Sequence, residues 1–334
     1  MITAITGATG HIGINLVRLL KENGRQVRCL IHLHNRGLED VDGEMVSGDV
    51  RDVESLVKAF QGAEVVYHLA SRISLSMKDW DKVKAVNIDG TRNVIEACRR
   101  AGVRRLVHFS SIHALRQEPF SQPVDENRSL VDMLAPPYDR SKAASERDVL
   151  QAVHEGLDAV IISPTAVIGP YDCEPSFFGD ALLRIANKKL PALVGAGFDW
   201  VDARDVAAGA VHAEEKAAAG SKYLLSGQWV SIPDIAMQME EIIGNACTRR
   251  SVPLWLAAAS APLVELYCKI TKTRPLYTRM SLSSLRSNRH ISHEKAAREL
   301  GYSARPFRES LTDTMNWFAE AGMLGCKLPE GGFK

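Results

Sequence analysis

This sequence has no apolar run long enough to cross a bilayer. The longest, residues 252–266, is interrupted by Pro253, Pro262 and Glu265, whereas a transmembrane helix needs about 20 mostly apolar residues. We therefore expect no membrane span. An amphipathic helix packed on the fold is the favoured interpretation of this run, with a pocket lid or a membrane-surface element as alternatives.

Cysteine is scarce and shows no regular spacing. The six cysteines include no C-x-x-C pair, which argues against a zinc site or a redox pair, and a disulfide framework is unusual in a chain of 334 residues. The sequence begins in a strand-like segment rather than in a charged leader followed by an apolar run. We therefore expect reduced thiols and a cytoplasmic location.

An excess of charge of one sign is also lacking. The 41 basic and 40 acidic residues give a formal net charge of +1, so nothing favours nucleic acid as a partner. The G-x-S-x-G motif of a hydrolase is missing. His32 and His34 have no further metal ligands close in sequence. We expect a small-molecule substrate and no metal.

The sequence does contain a regular alternation of short apolar runs and helix-like segments. Strands are predicted at 2–6, 26–32, 44–47, 65–70, 106–110, 159–163 and 223–225, and helices at 11–23, 53–60, 80–101, 138–155, 178–186, 205–216, 232–243, 293–300 and 307–320. This order predicts an α/β fold with a Rossmann-type, doubly wound parallel sheet. We expect an NAD(P)-binding domain at 1–165 and a smaller, mostly helical substrate lobe at 166–330, interwoven with it.

Three glycines separate the first strand from the first helix. Gly7, Gly10 and Gly13 have the spacing G-x-x-G-x-x-G. Glycine permits a tight turn and a close backbone approach, and the following helix N-terminus faces the negative charge of a pyrophosphate. Because the glycines stand between a strand and a helix, the sequence predicts a dinucleotide site.

The end of the second strand bears on the choice between NAD and NADP. An acidic residue there binds the ribose 2′-hydroxyl of NAD, whereas a basic residue accommodates the 2′-phosphate of NADP. His32, His34 and Arg36 follow the strand, and no acid appears before Glu39. We expect NADP as the favoured cofactor and NAD as the alternative.

Tyr138 and Lys142 form a Y-x-x-x-K motif at the start of a predicted helix. The i, i+4 spacing puts both side chains on one face. A nearby ammonium stabilises a phenolate and lowers the tyrosine pKa from its usual value near ~10, which makes the phenol a usable general acid or base. Taken alone, the same spacing also describes a surface pair.

Together these motifs resemble the extended short-chain dehydrogenase/reductase family, which includes NAD-dependent epimerases and dehydratases and dihydroflavonol-4-reductase-like enzymes. The segments that match, in the family's order, are 6–13, Gly48-Asp49, 67–70, 86–91, Ser110-Ser111, Tyr138 with Lys142, 164–170, 201–207, and 295–296 with 300–302. The resemblance covers residues 1 to 320, approximately.

The resemblance implies a role for each matching residue. Ser111 would bond the reacting oxygen, Tyr138 would exchange the proton, and Lys142 would hold the nicotinamide ribose. The expected cofactor-binding residues are Gly7, Thr9, Gly10, His11, Ile12, Gly13, His32, Arg36, Asp49, Val50, Leu69, Ala70, Ser71, Asn87, Tyr138, Lys142, Pro164 and Val167. Leu69 and Val167 can equally be plain core, and Asn87 can serve to tie its helix.

Two departures from the family pattern bear on the substrate. The serine pair is followed by Ile112-His113 rather than by the family's Ala-x-x-Tyr-Gly, so His113 and Gln117 can face substrate. Phe198 stands near the position where nucleotide-sugar enzymes often carry an arginine. We expect a hydrophobic pocket with His113, Phe177 and Trp200 as candidate substrate residues. The alternative for the two aromatic residues is core of the second lobe.

Three functions are compatible with this pattern. The favoured one is a carbonyl reductase or alcohol dehydrogenase. The alternatives are a nucleotide-sugar epimerase or dehydratase and a non-catalytic NADP sensor, although such sensors usually lose the tyrosine or the lysine and this chain keeps both. The resemblance also implies a homodimer through the helices near 81–101 and 139–155.

Overall fold

Seven parallel strands form the centre of the molecule. The computed structural model describes residues 1–74, 76–190, 192–248, 250–271, 282 and 287–325. The strands are β1 (Ile2–Thr6), β2 (Gln26–Ile31), β3 (Glu44–Ser47), β4 (Ala63–His68), β5 (Arg105–Phe109), β6 (Ala159–Pro164) and, after three strands named below, β10 (Lys222–Leu225). Their order across the sheet is β10-β6-β5-β4-β1-β2-β3.

This strand order creates a crevice between β1 and β4. From β1 the chain adds β2 and β3 on one side, and it adds β4, β5 and β6 on the other. Ligands of open parallel sheets bind outside the carboxyl ends of the strands where the order reverses. The doubly wound fold is confirmed, and the crevice lies beside the glycine turn that follows β1.

Helices cover both faces of the sheet, which explains why its strands are almost continuously apolar. The helices of this domain are α1 (His11–Glu22), α2 (Val53–Phe60), α3 (Trp80–Lys84), α4 (Gly90–Ala101), α5 (Pro137–His154) and α7 (Ala203–Lys216). Helices α1 and α7 pack on one face, and α2, α4 and α5 pack on the other. The side chain of Asp52 accepts a hydrogen bond from Glu54 N and caps α2.

A second region builds on a small sheet that the sequence analysis did not predict. Its strands are β7 (Ala166–Ile168), β9 (Gly197–Asp202) and β11 (Gln228–Ser231), in the order β11-β9-β7. A two-residue pair, β8 (Leu193–Val194) and β12 (Ser251–Val252), lies apart from it. The remaining helices are α6 (Phe177–Ala186), α8 (Ile232–Ile243), α9 (Leu254–Thr271), α10 (Glu294–Leu300) and α11 (Phe307–Glu320).

The two regions share elements. Strand β10 comes from the second half of the sequence but pairs with β6 at the edge of the main sheet. This arrangement accords with interwoven regions, and the division at residue 165 stays a prediction. Within the described residues no helix is both long and apolar enough to cross a membrane.

The helix expected at 80–101 departs from regular α-helix in its middle. Residues Ala85–Asp89 form a π-helical turn between α3 and α4. Here the Thr91 hydroxyl donates to the carbonyl oxygen of Asn87 at 2.7 Å, and the Asn87 side chain turns into the interior. Single π-turns of this kind are frequent at functional sites.

Candidate active site

The glycine turn packs so closely that larger residues are excluded. Gly7 has a φ of +72°, and a Cβ there would lie 2.5 Å from the Ala70 backbone nitrogen. A Cβ on Gly13 would lie 2.2 Å from the Gly7 oxygen. Gly10 caps α1 without a side-chain hydrogen bond, and no acid stands in the first turn. The first N–H groups of α1 thus fit a dinucleotide pyrophosphate.

The segment after β7 crosses the first turn of α1 and is tied to it. The Nε2 atom of His11 lies 3.1 Å from the carbonyl oxygens of both Gly169 and Pro170. Asn15 Nδ2 donates to the Pro170 oxygen at 3.0 Å. Because both partners of Nε2 are acceptors, this nitrogen carries the proton. Asn15 lies outside the glycine motif and was not predicted as a site residue.

Of the other predicted turn residues, Thr9 and Ile12 are partly buried, and Ile12 packs against the core. At the next strand end, the Asp49 carboxylate accepts hydrogen bonds from Arg51, which hold the pKa of Asp49 below its usual value. The Val50 side chain is buried and its carbonyl oxygen accepts a bond from Asn93. The structure thus places Asp49 and Val50 beside the turn that begins α2.

The basic residues after β2 meet carboxylates from other parts of the chain. His32 Nδ1 lies 3.5 Å from Asp49 Oδ2. His34 Nε2 lies 2.9 Å from Glu174 Oε1, and Arg36 Nη1 lies 3.6 Å from the same oxygen. The contact between Glu174 and this loop could not be predicted from the sequence, because 138 residues separate Glu174 from Arg36.

The residues after β4 are fixed by hydrogen bonds to their neighbours. Leu69 N donates to the Thr6 oxygen, and Ala70 N donates to Thr6 Oγ1 at 3.3 Å. The side-chain oxygen of Asn87 accepts from Arg72 N and from Ser71 Oγ. Its nitrogen donates to the Arg72 oxygen and to Ser141 Oγ.

Asn87 is therefore an interior tie rather than an open cofactor contact. Both polar atoms of its amide have protein partners, and its side chain is almost fully buried. This placement agrees with the alternative that Asn87 ties its helix. A direct role toward the cofactor stays a prediction.

Ser111, Tyr138 and Lys142 converge at the carboxyl end of β5. Ser111 follows β5, and Tyr138 and Lys142 stand on successive turns at the start of α5, where Pro137 occupies the first turn. The Ser111 hydroxyl lies near the Tyr138 phenol and lowers its pKa. Lys142 Nζ donates to the Phe109 oxygen at 2.8 Å and lies 6.0 Å from the centre of the Tyr138 ring.

Burial controls the proton affinities of this group. Loss of solvent raises the pKa of Tyr138 to about 12, against a lowering by Ser111. Burial also lowers the pKa of Lys142 to about 8, opposed by the nearby Glu146 carboxylate. We had expected the ammonium to lower the tyrosine pKa. In the chain without cofactor, burial instead raises the pKa of Tyr138. The Lys142 ammonium donates to the Phe109 carbonyl oxygen rather than to the phenol.

A buried carboxylate supports this group from behind. Glu146, one turn beyond Lys142, accepts a hydrogen bond from Ser110 Oγ at 2.7 Å and pairs with Lys222 Nζ at 2.7 Å. Lys222 stands on the edge strand β10. The contact between Glu146 and Lys222 could not be predicted from the sequence, because the two residues are 76 positions apart.

The residues proposed for the substrate have different environments. His113 Nδ1 lies 3.7 Å from Asp139 Oδ1, and its ring meets the Tyr138 ring edge-on at 6.1 Å. Phe177 is more than half exposed. Trp200 is only 4% exposed, and its indole N–H donates to the Val230 oxygen. Trp200 thus lies in the core of the second region, the alternative left open by its sequence.

Three further predictions concern neighbours of this group. The Gln117 side chain bonds the backbone of Ile112 and Asn288, which leaves it no free donor pair for substrate. Pro164 is buried at the end of β6, and Val167 is partly buried against the core. Over the described ranges no group of three His, Cys, Asp or Glu side chains could hold a metal ion.

Comparison with known proteins agrees with this geometry. Residues 3–225 match the NAD dependent epimerase/dehydratase family. Sterol demethylase protein B from Methylococcus capsulatus is 35% identical over 332 residues, covering 97% of this chain and 100% of that protein. A Synechocystis protein provisionally named dihydroflavonol 4-reductase is 32% identical, covering 96% of this chain and 95% of its own. The crystal structure of gox2253 has a TM-score of 0.84 at 30% identity, covering 97% and 99% of the two chains.

Proposed function

Because this chain belongs to the NAD-dependent epimerase/dehydratase family of extended short-chain dehydrogenases/reductases, and is thus an NAD(P)-dependent oxidoreductase, we propose that it interconverts a carbonyl and an alcohol. The substrate is small and hydrophobic, and Tyr138 is the general acid or base. The observation that carries the proposal is the meeting of Ser111, Tyr138 and Lys142 at the same edge of the sheet as the glycine turn.

Each residue of this group has a distinct task in the reaction. The bound nicotinamide supplies or accepts the hydride. Ser111 bonds the substrate oxygen and holds it next to the phenol, which saves the entropy of orienting the two reactants. Tyr138 gives its proton to that oxygen during reduction and takes it back during oxidation. Lys142 binds the nicotinamide ribose and stabilises a phenolate when one forms.

In the chain without cofactor, the Tyr138 phenol is in its protonated form, which is the form that acts as the acid in reduction. With its pKa raised to about 12, the phenol holds its proton at neutral pH and is ready to donate it. Oxidation needs the phenolate, which the positive charge of Lys142 would stabilise.

For the cofactor we propose NADP as the favoured form, with NAD as the alternative. The supporting feature is the segment after β2, which carries His32, His34 and Arg36 and has no acid before Glu39. The turn at 7–13 would hold the pyrophosphate, Asp49 and Val50 the adenosine end, and Pro164 and Val167 the nicotinamide. We also propose a cytoplasmic homodimer, in which α4 and α5 form the contact.

A hydrophobic substrate is supported by three observations. The relative from Methylococcus capsulatus is named a sterol demethylase protein. Phe177 offers an exposed aromatic ring at the start of α6, and Phe198 stands near the position where nucleotide-sugar enzymes often carry an arginine. An aromatic ring favours apolar contact over recognition of a diphosphate.

The test follows the absorbance of NADPH and NADH at 340 nm with a panel of hydrophobic aldehydes and ketones. We expect turnover in the wild type and a loss of about 10²- to 10⁴-fold in kcat for Tyr138→Phe, with cofactor affinity retained. Tyr223→Phe is the matched control, since Tyr223 lies on the edge strand β10 and its hydroxyl bonds Glu299 on α10. Tight cofactor binding without turnover on any carbonyl would contradict a reductase and favour an epimerase or a sensor.

A further inference from the structure

One carboxylate lies where the 2′-phosphate of NADP would have to bind. The loop after β2 carries His34 and Arg36, two side chains beyond His32 that can donate hydrogen bonds to this phosphate. Both lie against Glu174, at 2.9 and 3.6 Å from its Oε1 atom. The Glu174 carboxylate therefore contacts the two side chains with which a phosphate would form its hydrogen bonds.

Glu174 is held in this place by its own segment. On one side, His11 and Asn15 bond the carbonyl oxygens of residues 169 and 170. On the other side, the Asp172 carboxylate accepts hydrogen bonds from the Ser176 N–H and hydroxyl at 2.9 and 2.8 Å. The backbone on both sides of Glu174 is thus fixed by hydrogen bonds.

The other charges of this loop are already paired and do not compensate for Glu174. His32 lies 3.5 Å from Asp49, and Arg18 forms an ion pair with Asp40 at 2.7 Å. The Glu39 side chain accepts a hydrogen bond from Gly37 N. Among the described residues of this loop, Arg36 thus offers its charge and His34 a hydrogen-bond donor to a phosphate, and the Glu174 carboxylate lies against both.

We propose that Glu174 is a specificity-determining residue that restrains the binding of NADP and leaves NAD unaffected. This inference rests on the proposed dinucleotide function. A 2′-phosphate brings a charge near −2, so it must compete with the carboxylate for His34 and Arg36 and is repelled by it. A 2′-hydroxyl does neither. Since all three side chains are about half exposed, solvent limits the effect to about tenfold in Kd.

The test is a set of dissociation constants measured by calorimetry for the wild type and Glu174→Gln. The probes are NADPH, NADH, 2′,5′-ADP and AMP, and none of the measurements requires turnover. We expect NADPH and 2′,5′-ADP to bind about tenfold more tightly to Glu174→Gln at low salt, with less difference at high salt. NADH and AMP keep their wild-type affinities.

Glu64→Gln is the matched control. Glu64 also pairs with an arginine, Arg104, at 2.9 Å, but it lies at the amino end of β4, away from the crevice. Its substitution changes the net charge equally and leaves all four affinities unchanged. An unchanged NADPH affinity in Glu174→Gln would overturn the proposal, as would weaker binding of NADH and AMP, which would make Glu174 a ligand of the ribose hydroxyls.

These outcomes are separable from the failure of the proposed reaction. If no carbonyl is reduced but the four affinities behave as stated, the assignment of Glu174 stands and the reductase does not. If turnover is found and the affinities do not change in Glu174→Gln, the reductase stands and the assignment of Glu174 falls.

Discussion

At the scale of single residues, Tyr138 and Lys142 share a buried environment that acts on them in opposite directions. Burial disfavours whichever form carries charge, so the phenol keeps its proton and the ammonium loses its proton more easily. The pKa of Tyr138 rises to about 12 and that of Lys142 falls to about 8. The burial that shifts these two pKa values also lowers the free energy of unfolding.

Replacement of Lys142 is therefore predicted to stabilise the folded chain. The unfolded chain binds its lysine proton up to a pKa near 10.5, but the folded chain only up to about 8. The full cost of the charged lysine is thus present below pH 8 and disappears as the pH rises toward 10.5. For Lys142→Met without cofactor we expect a gain of about 1–3 kcal/mol at pH 7, and loss of turnover.

Thermal unfolding at pH 7 and at pH 10 measures this effect. The melting temperature of Lys142→Met exceeds that of the wild type at pH 7, and the difference shrinks at pH 10. Lys58→Met, on an exposed position of α2, is the control. A melting temperature for Lys142→Met at or below that of Lys58→Met would show that the ammonium bond to the Phe109 oxygen outweighs its burial.

The residues that could be identified from sequence are those whose role depends on near neighbours in the chain. The Tyr138–Lys142 spacing and the cap at Asp52 are of this kind. Glu146 and Glu174 could not be identified, because their partners are distant in sequence and charge alone does not reveal a tertiary contact. Trp200 was ambiguous for a similar reason, since an aromatic residue suits a pocket and a core equally.

At the scale of elements, the π-helical turn connects three parts of the site. It carries Asn87, whose amide bonds the loop after β4 through Arg72 and reaches Ser141 on α5. Ser141 in turn donates to the Tyr138 carbonyl oxygen at 2.7 Å. The position of the first turn of α5, and hence of Tyr138, therefore depends on one interior amide.

Asn87→Ala is predicted to weaken both stability and activity. It leaves the backbone groups of Arg72 and the Ser141 hydroxyl without their buried partner, which costs about 2–4 kcal/mol. We expect a lower denaturant midpoint and a reduced kcat, with a smaller change in KM. Asn127→Ala, in an exposed turn where the side chain bonds only Asp125, is the control.

If Asn87→Ala changed KM for the dinucleotide and left stability at the wild-type value, the residue would be a cofactor ligand instead. The conservative variant Asn87→Asp separates the two roles further. It keeps the acceptor for the Arg72 N–H but loses the donor to Ser141, so it is expected to lie between the wild type and the alanine variant in stability.

Elements were predictable where periodicity was long. Strands β1 and β3 and helices α2, α8 and α11 have the predicted bounds. The small sheet was missed because β7 and β11 are short and lie after Pro164, outside the regular alternation of strands and helices that made the equally short β3 predictable. Strand β9 was missed because it mixes aromatic and acidic residues. Its Asp199 is buried, and the carboxylate accepts hydrogen bonds from Thr165 and from Gly227 N.

At the scale of the whole molecule, the centre of the sheet contains two imidazoles shielded from solvent. His68 on β4 and His108 on β5 are each 1% exposed, with ring centres 5.4 Å apart. His68 bonds the hydroxyls of Thr6 and Thr91. Within the described part of the chain, neither ring nitrogen of His108 has a hydrogen-bond partner.

This pair makes the fold sensitive to acid. Burial lowers the pKa of His68 to about 3, with a smaller effect of Lys142. Burial, followed by His68 and Lys142, also holds the pKa of His108 well below its usual value of 6.5. Between these limits the unfolded chain binds protons that the folded chain does not. Stability is therefore complete above about pH 6.5 and declines as the pH falls toward 3.

His108→Leu is predicted to relieve part of this sensitivity. Leucine fills a similar volume and has no polar atom to leave unpartnered, so the variant gains stability at every pH. The gain increases below pH 6.5, because one of the two sites of proton uptake on unfolding is lost. Melting temperatures from pH 8 to pH 4 measure it, with His154→Leu at the exposed end of α5 as control. The same pH dependence in wild type, His108→Leu and control would place the origin of acid unfolding outside the sheet centre, in the carboxylates of the surface ion pairs.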